Sequence, residues 1–477
     1  MRWIRGIIIL GVAGVVLGAV AGAAEPLFER RALYCPAHFG NSYEVMGERE
    51  IRELLAEAKH WGFNRYGDWF DTVDCADPFV DPFYNKGRAL WDRKKRNFQS
   101  AQEAGLECEL IITPNHVFLD QCRPDLLAKK EQRIFGQLIC PSIPEARAII
   151  LKNYENLFRD LADSGVRIVA LCPCPYDFGG CACEKCAPWI LTFAQLTKEI
   201  GVIAEQYHPG IEMHFVGWWW APEEHALFAE WADREAPGWV KSIALHIPHG
   251  ETGVSDVPLP QDCERQAFVH NGYADQAQPQ DIYGHLGPVM AAERLPATLA
   301  ALKAHGVTGF MAYSEGIYED VNKAILGGIA SGQYADAGEV LAAYAKRYLG
   351  ADEENAAAWA GWFKQWGRPF EVDAAKALEE LAALREAAGA SGWRVRQWEL
   401  KAEMLRLHAL IMTETAWTPE RLALVDQFWA TRERIDRGVY GLGAVSHIFN
   451  YRFSRLPWHD SWAKHLAETA HKAEDAM

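Results

Sequence analysis

The sequence predicts an α/β fold: a (β/α)8 TIM-type barrel followed by an all-α C-terminal module. Three observations carry this. Eight short apolar segments recur between residues 32 and 313, separated by stretches with helical periodicity. Several of those stretches end in a glycine just before the next apolar segment, at Gly62, Gly105, Gly165, Gly210 and Gly306, which is the C-cap chemistry of an αβ loop. Beyond Ala335 the strand patterns stop while helical periodicity continues. Eight strands joined by right-handed crossovers close into a parallel barrel. An open doubly wound sheet is the alternative, but no Gly-rich dinucleotide fingerprint follows any strand candidate.

Taken in order, residues 1–24 read as a signal peptide. Arg2 and Arg5 precede an apolar run, and Ala21-Gly22-Ala23-Ala24 stands before Glu25 as a cleavage site. The run is broken by glycines and short for a membrane span, so a secreted or periplasmic protein is expected, with no membrane attachment after cleavage. The barrel is assigned to residues 25–335, with strands at 32–35, 63–67, 107–113, 167–171, 211–216, 241–247, 266–270 and 308–313. Between them, Ile51, Leu54, Leu55, Ala58 and Trp61 share one helical face, as do Ile150, Tyr154, Leu157, Phe158 and Leu161. Residues 336–477 form the helical module, with helices at 340–349, 354–366, 374–388, 393–412, 419–435 and 462–476, packed against the barrel without a flexible linker.

The chain carries 64 acidic and 48 basic residues, a net charge of −16. That balance disfavours nucleic acid or an anionic membrane as the main partner. Nineteen tryptophans are many; core packing must claim most of them, but indole faces also stack on sugar rings.

Active sites of such barrels lie at the C-terminal strand ends, so what each strand delivers there is decisive. The ends carry Cys35 and His38, Asp68-Trp69, Asn115-His116, Tyr176-Asp177, Trp218-Trp219-Trp220, His246 and His249, His270-Asn271-Gly272-Tyr273, and Tyr313-Ser314-Glu315. A purely structural barrel would need only turn residues at these positions. Glycoside cleavage requires a carboxylic acid for the leaving oxygen and a carboxylate or substrate amide for the oxocarbenium centre. Glu315 and Asp177 are the candidate catalytic pair, each directly following a strand. Asp68, Trp69, His116, Trp218, His246, Asn271 and Tyr313 are candidate substrate-binding residues. No HExxH or HxH pattern suggests a catalytic zinc of the common types, and no organic cofactor is expected.

Five of the eleven cysteines fall between Cys172 and Cys186. Cys181, Cys183 and Cys186, in a C-x-C-x-x-C arrangement, suit a structural zinc with Cys172 as the fourth ligand and Cys174 or Cys140 as substitutes. Disulfides, natural in an exported chain, are the other reading.

The run Pro175-Tyr-Asp177-Phe-Gly-Gly-Cys181-Ala-Cys183-Glu-Lys-Cys186 resembles a loop of uncharacterised bacterial proteins allied to the alpha-glucuronidases. The segments 140–146, 313–322 and 340–350 are similar to parts of the same proteins. The resemblance implies an exported, glycoside-hydrolase-like barrel acting on an oligosaccharide or polysaccharide. It does not imply alpha-glucuronidase activity: the acidic residues of true alpha-glucuronidases find no match here, and their large N-terminal domain has no room. Two rivals stay open, a non-catalytic carbohydrate-binding barrel and a different exported hydrolase using a metal.

Overall fold

A computed structural model describes residues 25–37, 41–70, 72, 75–80, 85–129, 138–248, 250–272, 286–441 and 456–474. Residues 1–24, expected to be a signal peptide, and the strand-end residues His38, His249 and Tyr273 lie outside the described residues. Eight strands, β1 (Arg30–Tyr34), β2 (Arg65–Trp69), β3 (Glu107–Ile112), β4 (Ile168–Pro173), β5 (Glu212–Gly217), β6 (Val240–His246), β7 (Glu264–His270) and β8 (Gly309–Tyr313), follow one another round a closed barrel. Every pairing is parallel, and β8 closes on β1 from Arg30↔Gly309 to Tyr34↔Tyr313.

The outer layer comprises α1 (Glu48–His60), α2 (Lys86–Glu103), α3 (Pro144–Asp163), α4 (Trp189–Tyr207), α5 (Pro222–Glu235), α6 (Arg294–Ala304) and α7 (Asp320–Ala330). The five predicted C-cap glycines all hold left-handed φ, from 69° to 91°. One expected helix is missing: among the described residues no helix joins β6 to β7. Pro248, Pro258 and Pro260 occupy that connection, and proline fixes φ and withholds the backbone donor a helix needs.

Strand alternation sorts the core into two. Outward-facing Leu33, Tyr66 and Leu110 pack on the helices, whereas Tyr34, Trp69, Ile111, Phe268, Met311 and Tyr313 meet inside the barrel. The floor of the barrel is ionic. Arg30 donates to Glu109 at 2.6 and 2.5 Å, and Arg65 reaches the same carboxylate at 3.1 Å. Burial alone would raise Glu109, but the two guanidiniums hold it down to about 2.

The C-terminal helices are α8 (Ala337–Leu349), α9 (Glu353–Lys364), α10 (Ala374–Ala388), α11 (Trp393–Met412), α12 (Pro419–Gly438) and α13 (His459–Glu474). They pack on the barrel through α7, whose residues from Val321 to Ala330 are all buried. A Cβ on Gly327 would stand 2.4 Å from the Trp61 carbonyl, so only glycine lets α7 approach this closely. Arg394 pairs with Asp320 at 2.7 Å and Trp61 donates to the Tyr348 hydroxyl at 2.9 Å. Trp359, Trp362, Trp366 and Trp398 form a ring cluster within the helices. A large share of the tryptophans is therefore core. Among the described residues no helix is long and apolar enough to cross a membrane.

Candidate active site

The C-terminal mouth of the barrel is walled by one aromatic stack. His116 lies 6.0 Å from Trp69 at 23°, Trp69 lies 5.0 Å from Tyr176 at 27°, and Tyr176 lies 6.1 Å from Trp218 at 18°. Trp219 extends the stack, 5.5 Å from Trp218 at 23°, and is 39% exposed. Of the three non-glycine residues with positive φ among those described, two belong to it: Tyr176 at 51° and Trp219 at 54°. Such backbone costs of order 1–3 kcal/mol and persists where the surroundings over-determine it. The Trp218–Trp220 run lies past the end of β5 and does not keep strand parity, the left-handed Trp219 standing between its two buried members. Trp218 enters the barrel, while Trp220 packs in the helix layer on Phe193, His225 and Phe228.

His246 and His270 face the same interior. Their rings lie 4.2 and 5.6 Å from Trp218 and 5.9 Å from each other. Burial pushes His116 down to about 3, so its ring is neutral.

Glu315 follows β8 and is buried. The Tyr313 hydroxyl donates to its Oε1, and Oε2 has no hydrogen-bond partner among the described residues. The Asn41 amide acts on Glu315, but its Nδ2 also donates to the Pro36 carbonyl at 2.6 Å. Burial pushes the Glu315 carboxyl up to about 8, and the charges of Glu319 and Asp177 add to this against the Tyr313 hydroxyl and Asn41. Asp177 is half-buried and accepts from Trp218 Nε1 at 2.8 Å. The two candidate carboxyls thus share one interior wall and sense each other's charge.

Asn271 is fully buried and turned to the backbone. Its Nδ2 donates to the Tyr313 carbonyl at 3.1 Å, and its own carbonyl accepts from Asn322 and Arg294 at 2.9 and 3.0 Å. These bonds make it a brace between β7 and β8.

Asp68 departs from the expectation. On β2 it has the parity of Tyr66, so it points to the helix layer while Trp69 points inward. It accepts from the Tyr66 hydroxyl at 2.9 Å and pairs with Lys94 of α2 at 2.5 Å, both groups almost fully buried. Lys94→Met should therefore cost about 3–5 kcal/mol, because it strands a buried carboxylate. Urea unfolding measures this loss, and turnover per folded molecule should not change.

The cysteines also depart from the expected set. Cys172 points from β4 into the barrel, 3.6 Å from Arg30 Nη2 and 3.9 Å from Glu109 Oε2, and so cannot join the loop thiols. Cys140 takes that place. The Sγ atoms of Cys140, Cys181, Cys183 and Cys186 all lie within 4.8 Å of one another, with Cys140 at 3.8 Å from Cys183 and 3.7 Å from Cys186. Zinc–sulfur bonds of about 2.3 Å set a tetrahedral edge of about 3.8 Å, so the spacing suits one metal ion. All eleven cysteines are unbridged, which removes the disulfide alternative in this structure. The group ties the chain after β3 to the loop bearing Tyr176 and Asp177, alongside an Ala182 N–H···Lys129 carbonyl bond of 2.9 Å.

Reasoning from sequence did not single out Tyr176 or Glu319 as site residues. Both stand in 3-10 turns past a strand end, Tyr176–Phe178 and Ile317–Glu319, where no periodicity points.

No family model matches the chain, and no curated protein matches it. Among solved structures it is similar to a GH138 enzyme targeting pectin rhamnogalacturonan II, at 10% identity and a TM-score of 0.52 over 87% of this chain. It spans 59% of that structure. It is also similar to an O-GlcNAc hydrolase of Thermobaculum terrenum, at 10% identity and a TM-score of 0.47 over 87% of this chain and 84% of that one. A third similar structure, CpGH84B, has 12% identity and a TM-score of 0.47 over 88% and 74%. At these identities the likeness is one of fold.

Proposed function

We propose that the protein is an exported glycoside hydrolase, with Glu315 as proton donor and Asp177 as the second carboxylate. One observation carries the reading: a buried carboxyl at the end of β8, raised to about 8 and within the field of Asp177, which is bonded to the aromatic wall. A carboxyl held neutral near pH 7 is what protonation of a leaving oxygen requires. In the reaction, the glycosidic oxygen takes the proton of Glu315 as the C–O bond breaks. Water adds its hydroxyl to the anomeric carbon; its proton goes to Glu315 where Asp177 is the nucleophile, and to Asp177, with Glu315 reprotonated from solvent, where Asp177 is the base. Asp177 serves the developing oxocarbenium centre as base or nucleophile.

Trp219, the exposed end of the stack, would bind an apolar sugar face, with Trp69 and Trp218 holding it in place from within the stack and His116, His246 and Tyr313 near the hydroxyls. The fold likeness to a GH138 enzyme supports an oligosaccharide or polysaccharide as the substrate. The resemblance of the 175–186 loop to proteins allied to the alpha-glucuronidases supports the same class. In this reading residues 1–24 are the export leader, 25–335 the catalytic barrel and 336–477 its helical support. Donor chemistry makes zinc the metal for Cys140, Cys181, Cys183 and Cys186, in a structural role: four thiolates leave no open position for a reacting water.

Hydrolysis of a panel of aryl glycosides and oligosaccharides tests the proposal. Asp177→Asn should lower kcat by about 10²-fold with an unchanged near-UV spectrum, because the amide oxygen still accepts from Trp218. Measurable affinity with no hydrolysis across the panel would instead identify a carbohydrate-binding barrel.

A further inference from the structure

The loop after β8 holds a second buried carboxyl that the hydrolytic reading leaves unused. Glu319 is fully buried. Its Oε2 accepts the backbone N–H of Glu315 at 3.1 Å, and its Oε1 has no hydrogen-bond partner among the described residues. Gly272 makes room for it: a Cβ there would lie 3.1 Å from Glu319 Cγ and 3.2 Å from Oε1.

The charged and titratable groups around it come from several elements. Lys323 of α7 acts on it, but its ammonium donates to the Tyr43 hydroxyl at 2.9 Å and the Gly316 carbonyl at 3.0 Å. Arg294 of α6 acts on it more weakly while donating to the carbonyls of His270 and Asn271 at 3.2 and 3.0 Å. Cys35, just past β1, and Tyr43 in the following loop sense its charge, and Asp177, from beyond β4, acts on Glu315.

We propose that Glu319 is a positioning residue for Glu315: it fixes that residue's backbone and sets a second carboxyl beside it, so that the pair retains a proton for delivery from Glu315. This rests on Glu315 being the proton donor. A charge on one of two buried, mutually sensed carboxyls disfavours ionisation of the other. Burial raises Glu319 to about 7 against the pull of Lys323, and the charge of Glu319 in turn raises Glu315.

Glu319→Gln removes a negative neighbour and leaves Lys323 less opposed, so Glu315 must lose its proton at lower pH. The alkaline limb of kcat/KM should move down by roughly one pH unit, with KM changed less than about twofold, because Glu319 does not touch substrate. Infrared titration of the buried carboxyl bands gives a readout independent of turnover. The Glu315 band should titrate lower in Glu319→Gln, and reciprocally the Glu319 band lower in Glu315→Gln. Identical titrations in wild type and both variants would overturn the inference and leave Glu319 a loop brace. Coupled bands in a protein that hydrolyses nothing would support the pairing and sink the hydrolase reading alone.

Discussion

Glu315→Gln should lower kcat by up to about 10⁴-fold on substrates with a poor leaving group. The amide can still accept from Tyr313, so the fold and the aromatic wall should stay as they are. On an aryl glycoside whose leaving group needs no proton, the loss should be far smaller, and this contrast isolates proton donation from binding. The pH dependence is fixed in sign. The active form of Glu315 is the protonated one and its carboxyl is raised to about 8, so wild-type kcat/KM should fall as pH rises through about 8. That limb should vanish in the variant. Equal loss on both substrate types, or an unmoved alkaline limb, would show that Glu315 is not the acid.

Loss of the proposed zinc should have the largest effect on the fold. Wild type is expected to bind one zinc per chain, and after chelation and denaturation all eleven thiols should titrate as reduced. Cys140→Ser should bring zinc content close to zero, whereas Cys172→Ala, outside the cluster, should keep it. Binding energy at a structural zinc is folding energy. In a domain of ordinary size each kcal/mol lost corresponds to roughly 2–4 °C, so losing even a few should lower Tm by on the order of 10 °C. Turnover should fall with it, because the Asp177 loop loses its anchor. Full zinc in Cys140→Ser would place the metal elsewhere.

How much of this was legible in the residues varies with the range of the interaction. Strand and helix periodicity are local, so the eight strands and the six C-terminal helices lie close to where the pattern puts them, and the capping glycines hold the φ the pattern demands. Parity within a strand is equally local, yet it decides against Asp68: two neighbours on β2 cannot both face the interior. The metal group is different in kind. Cys140 stands 43 residues before Cys183, and only the tertiary path of the chain after β3 brings it there. Proximity in sequence favoured Cys172, but the inward turn of β4 takes that thiol to the ionic floor. Glu319 was hidden for a related reason, since its meaning depends on the carboxyl it adjoins in space.

The run of parallel rings from His116 to Trp219 also has an optical consequence. Transition dipoles of indoles and a phenol held about 5–6 Å apart couple with one another, so their absorption is shared and strongly circularly dichroic. Because Trp218 also donates to Asp177, the wall of the cavity is a built-in chromophore. A saccharide seated against it, or a shift in the Asp177 loop, would register in the near ultraviolet without any added label.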